Sequence, residues 1–455
     1  MRSPNLIHRA VLLTAILALV IPTVWIEQGI LARTHGTIAF PFDNVFYPLT
    51  VAKNFAFEHV WGIGTSFTSS SPSLLYTFLL SIVFLVTGAH LIVPLLVNGA
   101  IAILFLQAVQ RRLIRENLRP ISQLLILLAV IWLVPLPLLV ISGTEFTLLL
   151  FLTFLFIDNF VTAVATEKFP VKLNIYGLLM LSTSYQTLPI LLIACVILVT
   201  RRHWWEGVKL LFISILPVYL FGLVSINKNG YFVPNQILLA WEKHPLSIIS
   251  GVNSWPGSES GLIACSVIVV GILLSRYQHR IRRFVYPLTA VLAIALVTRS
   301  LFAYSRAADT CISTYERQYQ VAKFVRAYYG NYDRGIASNE IGAVSFWADP
   351  RRIFDLTGIG DLDVLRHIQD HTWTPAFADS LSEQRNINIA ILHHTWTDME
   401  VEPYWYRIAT WQKHNDTVTF YSVDRRYISQ LQDNLHAFEA RLPSGVTVRY
   451  YPPVD

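Results

Sequence analysis

The chain has 455 residues, of which 54% are hydrophobic, and its mean hydropathy is +0.48. Several uncharged runs approach or exceed the roughly 20 residues that cross a bilayer, so the composition excludes an ordinary soluble enzyme and predicts a polytopic α-helical membrane protein. The net charge of +6 does not indicate a nucleic-acid partner, because residues 1–299 carry twenty Lys and Arg against ten Asp and Glu, whereas residues 300–455 are net acidic.

The uncharged runs outline the membrane part of the chain. They cover residues 72–110, 121–144, 173–200, 210–226, 261–275 and 284–298. We predict about nine to eleven spans within residues 1–302. The composition becomes polar and charged after Arg299, which predicts a separate soluble domain in residues 303–455.

Cationic residues predict the orientation, because Lys and Arg flanking short loops are retained in the cytoplasm. With the N-terminus inside, fifteen of the twenty Lys and Arg before residue 300 lie on the cytoplasmic side, and the opposite orientation inverts that ratio. The first outer loop (31–71), a second major outer loop (227–260) and the C-terminal domain then lie outside a plasma or bacterial inner membrane. No small-residue cleavage site precedes Trp25, so we interpret the first apolar segment as a retained span.

One uncharged run, residues 72–110, is long enough for two crossings but does not suit them. Two crossings would place the Arg-rich segment 111–119 outside, against the charge rule. We therefore expect a partly inserted or surface element at about 72–88, followed by one crossing at about 90–110.

Residues 173–200 present the reverse case, because basic residues flank both ends and an even number of crossings is required. The length predicts two short helices that break near Ser184–Thr187, on the outer side. Irregular backbone at membrane depth is tolerated where protein or a watery cavity satisfies its polar groups. The break, with Gln186, is therefore a candidate cavity wall.

The first outer loop carries an acid, Asp43, close to the end of the first apolar segment. Apolar residues follow it at helical spacing, namely Phe46, Leu49, Ala52, Phe55 and Ala56. This pattern predicts an amphipathic helix on the membrane surface. Such a helix would hold Asp43 at the lipid boundary, in reach of a lipid-borne phosphate and a water-soluble acceptor, so Asp43 is a candidate catalytic base. The alternative is an ordinary loop acid at the end of a span.

A second acid, Glu145, follows Ser142-Gly143-Thr144 at the outer mouth of a predicted helix hairpin. Acids at membrane spans are costly and are functional candidates by default. Glu145 is therefore a candidate substrate-binding residue. The alternative is a helix N-cap, since an acid in the first turn interacts favourably with the helix dipole.

The second outer loop opens with Tyr231 and Asn235, in a turn that Gly230 and Pro234 dictate. The amide of Asn235 is suited to hydrogen-bond sugar hydroxyls, and Tyr231 offers a stacking face. A plain linker would have the same composition, so both interpretations stay open.

The C-terminal domain alternates short strands and helices, which predicts an α/β layer. The predicted helices cover 315–329 and 362–368, and the predicted strands cover 334–338, 352–356, 388–392 and 418–423. No glycine-rich phosphate loop and no Ser-His-Asp or metal-ligand spacing stands out. His393 and His394 follow a predicted strand, but neighbours in a strand point to opposite faces, which argues against a shared metal ion.

Ordered blocks of the chain resemble bacterial GT-C glycosyltransferases, especially arabinofuranosyltransferase-like members. Residues 42–81 resemble their first-loop signature, in which an Asp-Asp pair precedes an amphipathic helix, a Gly-rich turn and a Thr-Ser-Pro. Ser-Gly-Thr-Glu-Phe at 142–146 is similar to their Ser-Gly-Met-Glu-Thr, and Tyr-Phe-Val-Pro-Asn at 231–235 is similar to their Tyr-Pro-Leu-Pro-Asn. Residues 340–346 and 354–358 resemble the start of their C-terminal domain.

The resemblance implies a GT-C-like fold, a polyprenyl-phosphate-linked sugar as donor, and an envelope glycan, lipid or protein as acceptor outside the membrane. Asp43 would deprotonate the acceptor hydroxyl while the sugar leaves its lipid phosphate, with inversion. Glu145 would line the same cavity. A divalent metal ion or basic residues would neutralise the phosphate, with Asp43 and Glu145 as candidate metal ligands. Lys53 is a candidate phosphate contact, and its alternative is a snorkelling interfacial lysine.

The chain departs from the family pattern at two places. Asn44 stands where the second acid of the pair is found, so a two-carboxylate metal site there is unsupported, and Asn44 is a candidate substrate-binding residue. Thr-Ser-Tyr-Gln-Thr-Leu at 183–188 replaces Thr-Arg-Pro-Glu-Gly-Leu, which removes an Arg and a Glu and leaves Gln186 as a candidate contact. Changed donor recognition and loss of activity are both compatible with these departures.

Two other classes of protein remain as alternatives. One is a non-catalytic homologue that binds or scaffolds envelope glycans. The other is a transporter of a lipid-linked saccharide, for which paired inverted repeats and charges near the midplane are expected and are not evident in the sequence.

Overall fold

A computed structural model of the chain describes residues 4–243, 278–330, 334–347, 353–393, 401, 403–413 and 416–452. The chain divides into two compact units. The first unit comprises Met1–Pro41, Ser73–Phe221 and Ala240–Ile312, and the second comprises Phe42–Pro72, Gly222–Leu239 and Ser313–Asp455.

Helices make up most of the described residues. In chain order they are α1 (Pro4–Arg33), α2 (Phe46–Glu58), α3 (Leu74–Thr87), α4 (Ile92–Arg115), α5 (Pro120–Leu133), α6 (Leu136–Ile141), α7 (Phe146–Thr166), α8 (Val171–Thr183), α9 (Leu188–Thr200), α10 (Trp204–Asn227), α11 (Asn235–Lys243), α12 (Gln278–Thr314), α13 (Gln320–Tyr329), α14 (Gly342–Trp347), α15 (Leu362–Gln369), α16 (Pro375–Gln384) and α17 (Ile428–Glu439). The strands are β1 (Gly335–Ser338), β2 (Ile353–Asp355), β3 (Ile387–His393), β4 (Tyr406–Lys413), β5 (Asp416–Ser422) and β6 (Thr447–Tyr450).

Four helices among the described residues are long and apolar enough to cross a membrane: α1, α4, α7 and α10. Shorter apolar helices cover Leu74–Thr87, Pro120–Leu133 and Tyr185–Thr200. The chain therefore has a largely helical, membrane-associated part, as its composition predicted. The number of about nine to eleven spans and the orientation stay predictions. The uncharged run 261–275 lies outside the described residues.

The uncharged runs 72–110 and 173–200 each break into two helices at the predicted place. After α3, Gly88 adopts a φ of +83°, which glycine reaches without a Cβ penalty, and α4 then starts at Ile92. After α8, Ser184 is extended, and a short 3-10 turn, Tyr185–Thr187, leads into α9. The predicted pair of short helices in 173–200 is thus present.

The core of the first unit lies among α1 and α4 to α7. Ala15 of α1 and Phe105 of α4 are fully buried, and the Phe105 ring meets the edge of Phe154 with centroids 5.5 Å apart. Arg112 Nη1 lies 2.8 Å from Asp158 Oδ1, and both side chains are largely buried. The acid of α7 is thereby matched by a cation from α4.

The second unit is built on a six-stranded mixed sheet with the order β2-β1-β3-β5-β4-β6. β1 pairs in parallel with β2 and β3, and the other neighbours pair antiparallel. Every residue of β3 is buried, so this strand is at the centre of the unit. On one face, the Phe324 ring of α13 lies 5.7 Å from Trp411 and 5.4 Å from Phe420. The predicted α/β domain is confirmed.

The predicted elements of the C-terminal domain correspond to observed ones, and others were missed. The four predicted strands match β1, β2, β3 and β5, and residues 315–329 form a π-helical turn, Tyr315–Tyr319, that continues into α13. β4 and β6 were missed because β4 buries only its middle residues and β6 none completely, which leaves little apolar signal. His393 is the last, buried residue of β3, and His394 lies outside the described residues.

The second unit also takes in residues 42–72, which include most of the first loop, and residues 222–239, which include the end of α10 and the start of the second loop. The predicted helix after Asp43 is present as α2. Its position on the membrane surface stays a prediction, but its apolar face is covered by protein of the second unit. Leu49 is fully buried, and the Phe46 ring lies 5.3 Å from that of Tyr319 and 5.4 Å from that of Trp347. A helical period shows that a helix has an apolar face and does not show what covers that face.

Candidate functional site

Asp43 opens a short 3-10 turn, Asp43–Val45, that leads into α2. Its carboxylate accepts two backbone hydrogen bonds: Oδ2 accepts the N–H of Gly342 at 2.7 Å, and Oδ1 accepts that of Ala343 at 2.8 Å. These amides begin α14, and N–H groups at the start of a helix have no partner within it. Asp43 therefore completes this helix end, and its side chain is partly buried and fixed in orientation.

Gly342 allows this close approach. A Cβ at residue 342 would lie 2.2 Å from the carbonyl oxygen of Asp43 and 2.4 Å from its Oδ2, well inside van der Waals contact. Only glycine lets the backbone of α14 come this near to the acid.

Lys53 lies at the other end of α14. Its Nζ donates to the carbonyl oxygen of Phe346 at 2.6 Å and to that of Ser345 at 3.4 Å. Between the two ends, Thr50 Oγ1 lies 3.0 Å from Ser345 Oγ. A cation at a helix C-terminus interacts favourably with the helix dipole. In this structure the ammonium group proposed as a phosphate contact is engaged with backbone carbonyls.

Burial and neighbouring charge change the proton affinity of Asp43. Burial and then the negative charge of Glu340 raise its pKa to about 7, against the opposing effect of the two N–H groups and of Arg317. Arg317 Nη1 also pairs with Asp416 Oδ1 at 3.1 Å. A carboxyl that titrates near the operating pH is suited to general base catalysis.

Glu340 lies just before α14 and is held from two sides. Gln318 Nε2 donates to its Oε2 at 2.8 Å, and His393 Nδ1 lies 3.0 Å from the same oxygen. The Asn339 amide in turn pairs with the backbone of His393, donating to the carbonyl at 2.9 Å and accepting the N–H at 2.8 Å. The ends of β1 and β3 are thereby tied together around the carboxylate that acts on Asp43.

Asp355, at the end of β2, is a second buried acid of this unit. Its Oδ1 accepts the N–H of Thr357 at 2.8 Å and the Thr357 hydroxyl at 2.7 Å, and its Oδ2 accepts the N–H of Gly360 at 2.6 Å. Burial raises its pKa to about 6. This carboxylate is used inside its own turn, as Asp side chains often are.

Glu145 lies in the first unit, at the start of α7, in a hairpin that side chains of α3 and α4 hold. The Tyr76 hydroxyl donates to the Gly143 carbonyl at 2.9 Å, and Asn98 Nδ2 donates to the Thr144 carbonyl at 2.9 Å. The Glu145 side chain itself makes no capping hydrogen bond to α7. Glu145 nevertheless occupies the N-cap position, where a negative charge interacts favourably with the helix dipole, so the helix-cap alternative stays open.

The remaining candidates differ in exposure. Gln186 is half-buried in the turn between α8 and α9 of the first unit, Asn44 is exposed beside Asp43, and Tyr231 is half-buried in the second unit. Burial raises the pKa of Tyr231, and the nearby Arg366 lowers it. The candidates in the second unit are Asp43, Asn44, Lys53, Tyr231 and Asn235, and those in the first are Glu145 and Gln186.

Asn235 joins three loops of the second unit. Its N–H donates to the Ser69 carbonyl at 2.9 Å, and its Nδ2 donates to the Ile359 carbonyl at 2.9 Å, which also accepts the Ser70 hydroxyl at 2.9 Å. Within the described residues, Asn235 Oδ1 and Ser69 Oγ are buried and have no hydrogen-bond partner. Buried polar atoms of this kind are normally satisfied by water or by a ligand hydroxyl.

A metal ion finds no ready set of ligands among the residues that the structure describes. No group of three or more His, Cys, Asp or Glu side chains there is arranged to hold one. Both carboxylate oxygens of Asp43 are bound by backbone N–H groups. A divalent cofactor stays a prediction of the resemblance, without assigned ligands.

The residues that surround Asp43 could not be recognised as its partners from the sequence. Glu340 and Gly342 lie in the block 340–346, and an acid and a glycine shortly before an apolar helix were the available signal. No local pattern links them to the first loop, because the hydrogen bond between Asp43 and Gly342 joins residues 299 positions apart.

A family model described as a domain of unknown function, DUF8728, matches residues 307–421. No curated protein and no solved structure matches the chain. The matched segment contains α14, Glu340 and His393, and it does not contain residues 31–71. It covers less than half of the chain and carries no activity with it.

Proposed function

We propose that the chain is a membrane glycosyltransferase that moves a sugar from a polyprenyl-phosphate donor to an envelope glycan, lipid or protein, with Asp43 as the general base. The carrying observation is the environment of Asp43, a partly buried carboxyl that two backbone N–H groups orient at 2.7 and 2.8 Å. Its pKa, raised to about 7 by burial and by Glu340, suits proton transfer near neutral pH.

In the proposed reaction, the ionised Asp43 takes the proton of an acceptor hydroxyl as that oxygen attacks the anomeric carbon of the donor sugar. The bond from this carbon to the phosphate oxygen breaks, and the lipid phosphate leaves with the bonding electrons. Attack from the side opposite the phosphate inverts the anomeric configuration. The two N–H groups each occupy one lone-pair direction of an Asp43 oxygen, and a remaining lone pair accepts the proton.

Substrate recognition is proposed for the other candidate residues. Asn235 Oδ1 has an open acceptor position among the described residues and suits a sugar hydroxyl. Glu145 and Gln186 are proposed as further substrate contacts. Lys53 would need to leave the carbonyls of α14 before it could bind the donor phosphate. The distribution of Lys and Arg supports a reaction outside the cytoplasmic membrane.

A non-catalytic role is the second candidate. The observation that favours it is that Asp43 and Lys53 bind the two ends of α14. These contacts stabilise the fold and give both side chains a structural role without catalysis. The chain would then bind or scaffold envelope glycans. For a transporter of lipid-linked saccharides, the described residues offer no observation in favour.

Asp43→Asn separates catalysis from folding when it is compared with Asp355→Asn. Each substitution places an amide NH2 opposite backbone N–H donors, so each weakens a local structure, but only the first removes the proposed base. Cells that lack the gene are complemented with the wild type or with either variant. Surface glycans are compared by linkage analysis, at matched levels of folded membrane protein.

We expect Asp43→Asn to lower the transferred sugar by at least about 100-fold, the range of general base catalysis. Asp355→Asn is expected to retain transfer in proportion to its folded protein. Equal and near-complete retention in both variants would reject the transferase and favour the non-catalytic role.

A further inference from the structure

The turn Glu340–Ala343 joins two hydrogen-bonded networks of the second unit. At its first residue, the Glu340 carboxylate receives Gln318 Nε2 at 2.8 Å and lies 3.0 Å from His393 Nδ1. At its other end, the last two N–H groups of the turn hold the carboxylate of Asp43. One residue separates the two ends, so the contacts that fix Glu340 also fix the N–H groups on Asp43.

We propose that Glu340 is a positioning residue for Asp43. Its carboxylate anchors the turn that orients Asp43 and places a second negative charge beside the base. This inference rests on the proposed function, in which Asp43 takes the proton of the acceptor.

Glu340 is buried and is held by contacts from two elements. The residue is only 7% exposed. Gln318 Nε2, in the π-helical turn before α13, and His393 Nδ1, at the end of β3, both approach one of its oxygens. Two carboxylates that share a site repel each other, so one of them holds its proton more tightly. For Asp43 this repulsion adds to the larger effect of burial in raising the pKa.

The other charged and titratable groups around the base do not replace Glu340. Arg317 acts in the opposite direction and is also paired with Asp416 at 3.1 Å. Burial raises the pKa of the Tyr47 hydroxyl, which therefore stays neutral in the range where a carboxyl titrates. Asp355 is bound by donors of its own turn. Among these groups, Glu340 is the one that raises the pKa of Asp43 by its charge and also belongs to the turn whose N–H groups bind Asp43.

Glu340→Gln tests the inference, because glutamine keeps an oxygen for the donors of Gln318 and His393 while it removes the charge. Full-length protein in lipid nanodiscs is treated with a carbodiimide and an amine over a pH range that brackets the pKa of about 7 for Asp43. Mass spectrometry then gives the fraction of Asp43 that is modified. Labelling needs the protonated carboxyl, so it falls as Asp43 ionises.

We expect the midpoint of Asp43 labelling to move to lower pH by about one unit in Glu340→Gln, the lower end of the effect of a neighbouring charge. Glu316→Gln is the matched control, because it removes a carboxylate whose partner is Lys413, at 2.5 Å, and not a donor to Glu340. An unchanged midpoint in Glu340→Gln, or an equal shift in Glu316→Gln, would overturn the inference.

A second measurement applies if the carbodiimide does not reach the Asp43 carboxyl. The thermal unfolding midpoint is followed against pH in wild type and Asp43→Asn, and again with both proteins carrying Glu340→Gln. The difference within each pair reports the ionisation of Asp43. It is expected to titrate at lower pH in the Glu340→Gln pair, and an identical titration would reject the positioning role.

Neither measurement needs a donor or an acceptor, so the positioning role is judged separately from sugar transfer. Transfer that persists in Asp43→Asn would remove the proposed function and leave the labelling result valid. Where transfer is measured, the acid limb of the pH–rate profile should shift with the labelling midpoint. A purely structural role would lower the rate at every pH without moving the profile.

Discussion

Asp43 and Lys53 bind opposite ends of the same helix, α14, from positions ten residues apart in the first loop. The carboxylate of Asp43 accepts the N–H groups at the start of α14, and the ammonium of Lys53 donates to the carbonyl of Phe346 at 2.6 Å. The negative group meets the positive end of the helix and the positive group meets the negative end, so both contacts are favourable. The loop and α14 therefore run side by side in the same direction.

Lys53→Met removes the cation at the C-terminal end of α14. We expect it to lower the free energy of unfolding by about 1 kcal/mol, the size of a charge–helix dipole contact. Thermal unfolding in nanodiscs measures this, with Lys53→Arg as the control that keeps the charge. A variant that unfolds like wild type but binds the donor less tightly would show that Lys53 serves the lipid phosphate instead.

Gly342→Ala places a methyl group 2.4 Å from Asp43 Oδ2, so the first loop has to move away from α14. We expect a loss of about 1 to 3 kcal/mol, typical of overpacking in a buried site. Gly207→Ala is the matched control, because its nearest neighbouring atom is 3.5 Å away, an ordinary contact. Equal unfolding temperatures for the two variants would contradict the close approach of α14 to Asp43.

The pKa of about 7 for Asp43 predicts opposite effects of pH on stability and on transfer. A carboxyl has a pKa of about 3.9 in an unfolded chain, so the folded state favours the protonated Asp43. Its contribution to stability is complete below about pH 4 and is lost as pH rises through about 7. Proton abstraction needs the ionised form, so the transfer rate should rise over the same range.

Measurement of both quantities in wild type and in Asp43→Asn tests this pH dependence. The difference in unfolding free energy between the two proteins should change through neutral pH, whereas contributions from other acids, such as Asp355, cancel in the comparison. A flat difference, together with a rate that does not depend on pH near 7, would show that Asp43 does not titrate there.

Gly143 shapes the hairpin that carries Glu145 in the first unit. Its φ is +69°, and a Cβ would lie 2.5 Å from the ring of Phe40. We expect Gly143→Ala to destabilise the unit by about 1 to 3 kcal/mol, since backbone strain and overpacking act together. Gly99→Ala is the control, because the nearest atom, on Val140, is 4.0 Å away. The yield of monodisperse protein and its unfolding temperature report the effect.

Several parts of the fold could be predicted because they depend on short continuous segments. The breaks after α3 and at Ser184 followed from uncharged length combined with the positions of basic residues. The central strand β3 followed from a largely apolar run. The edge strand β6 could not be found in this way, because none of its four residues is fully buried. Its extended conformation is stabilised by backbone pairing with β4, which the sequence does not show.

The candidate site shows the same division. Asp43 could be singled out because an acid at the end of an apolar segment is conspicuous in one sequence. The N–H groups that hold it could not, since they come from residues about three hundred positions away. The sequence showed that α2 has an apolar face, but it did not show that Tyr319 and Trp347 cover that face.

The sequence by itself determined that this protein has apolar membrane-type helices, a C-terminal α/β domain and an acid soon after the first apolar segment. These features follow from hydropathy and periodicity, which are properties of each segment alone. Only the tertiary structure decided what binds that acid and how readily it takes a proton. Proton affinity depends on burial and on nearby charges, and in this protein remote segments supply both.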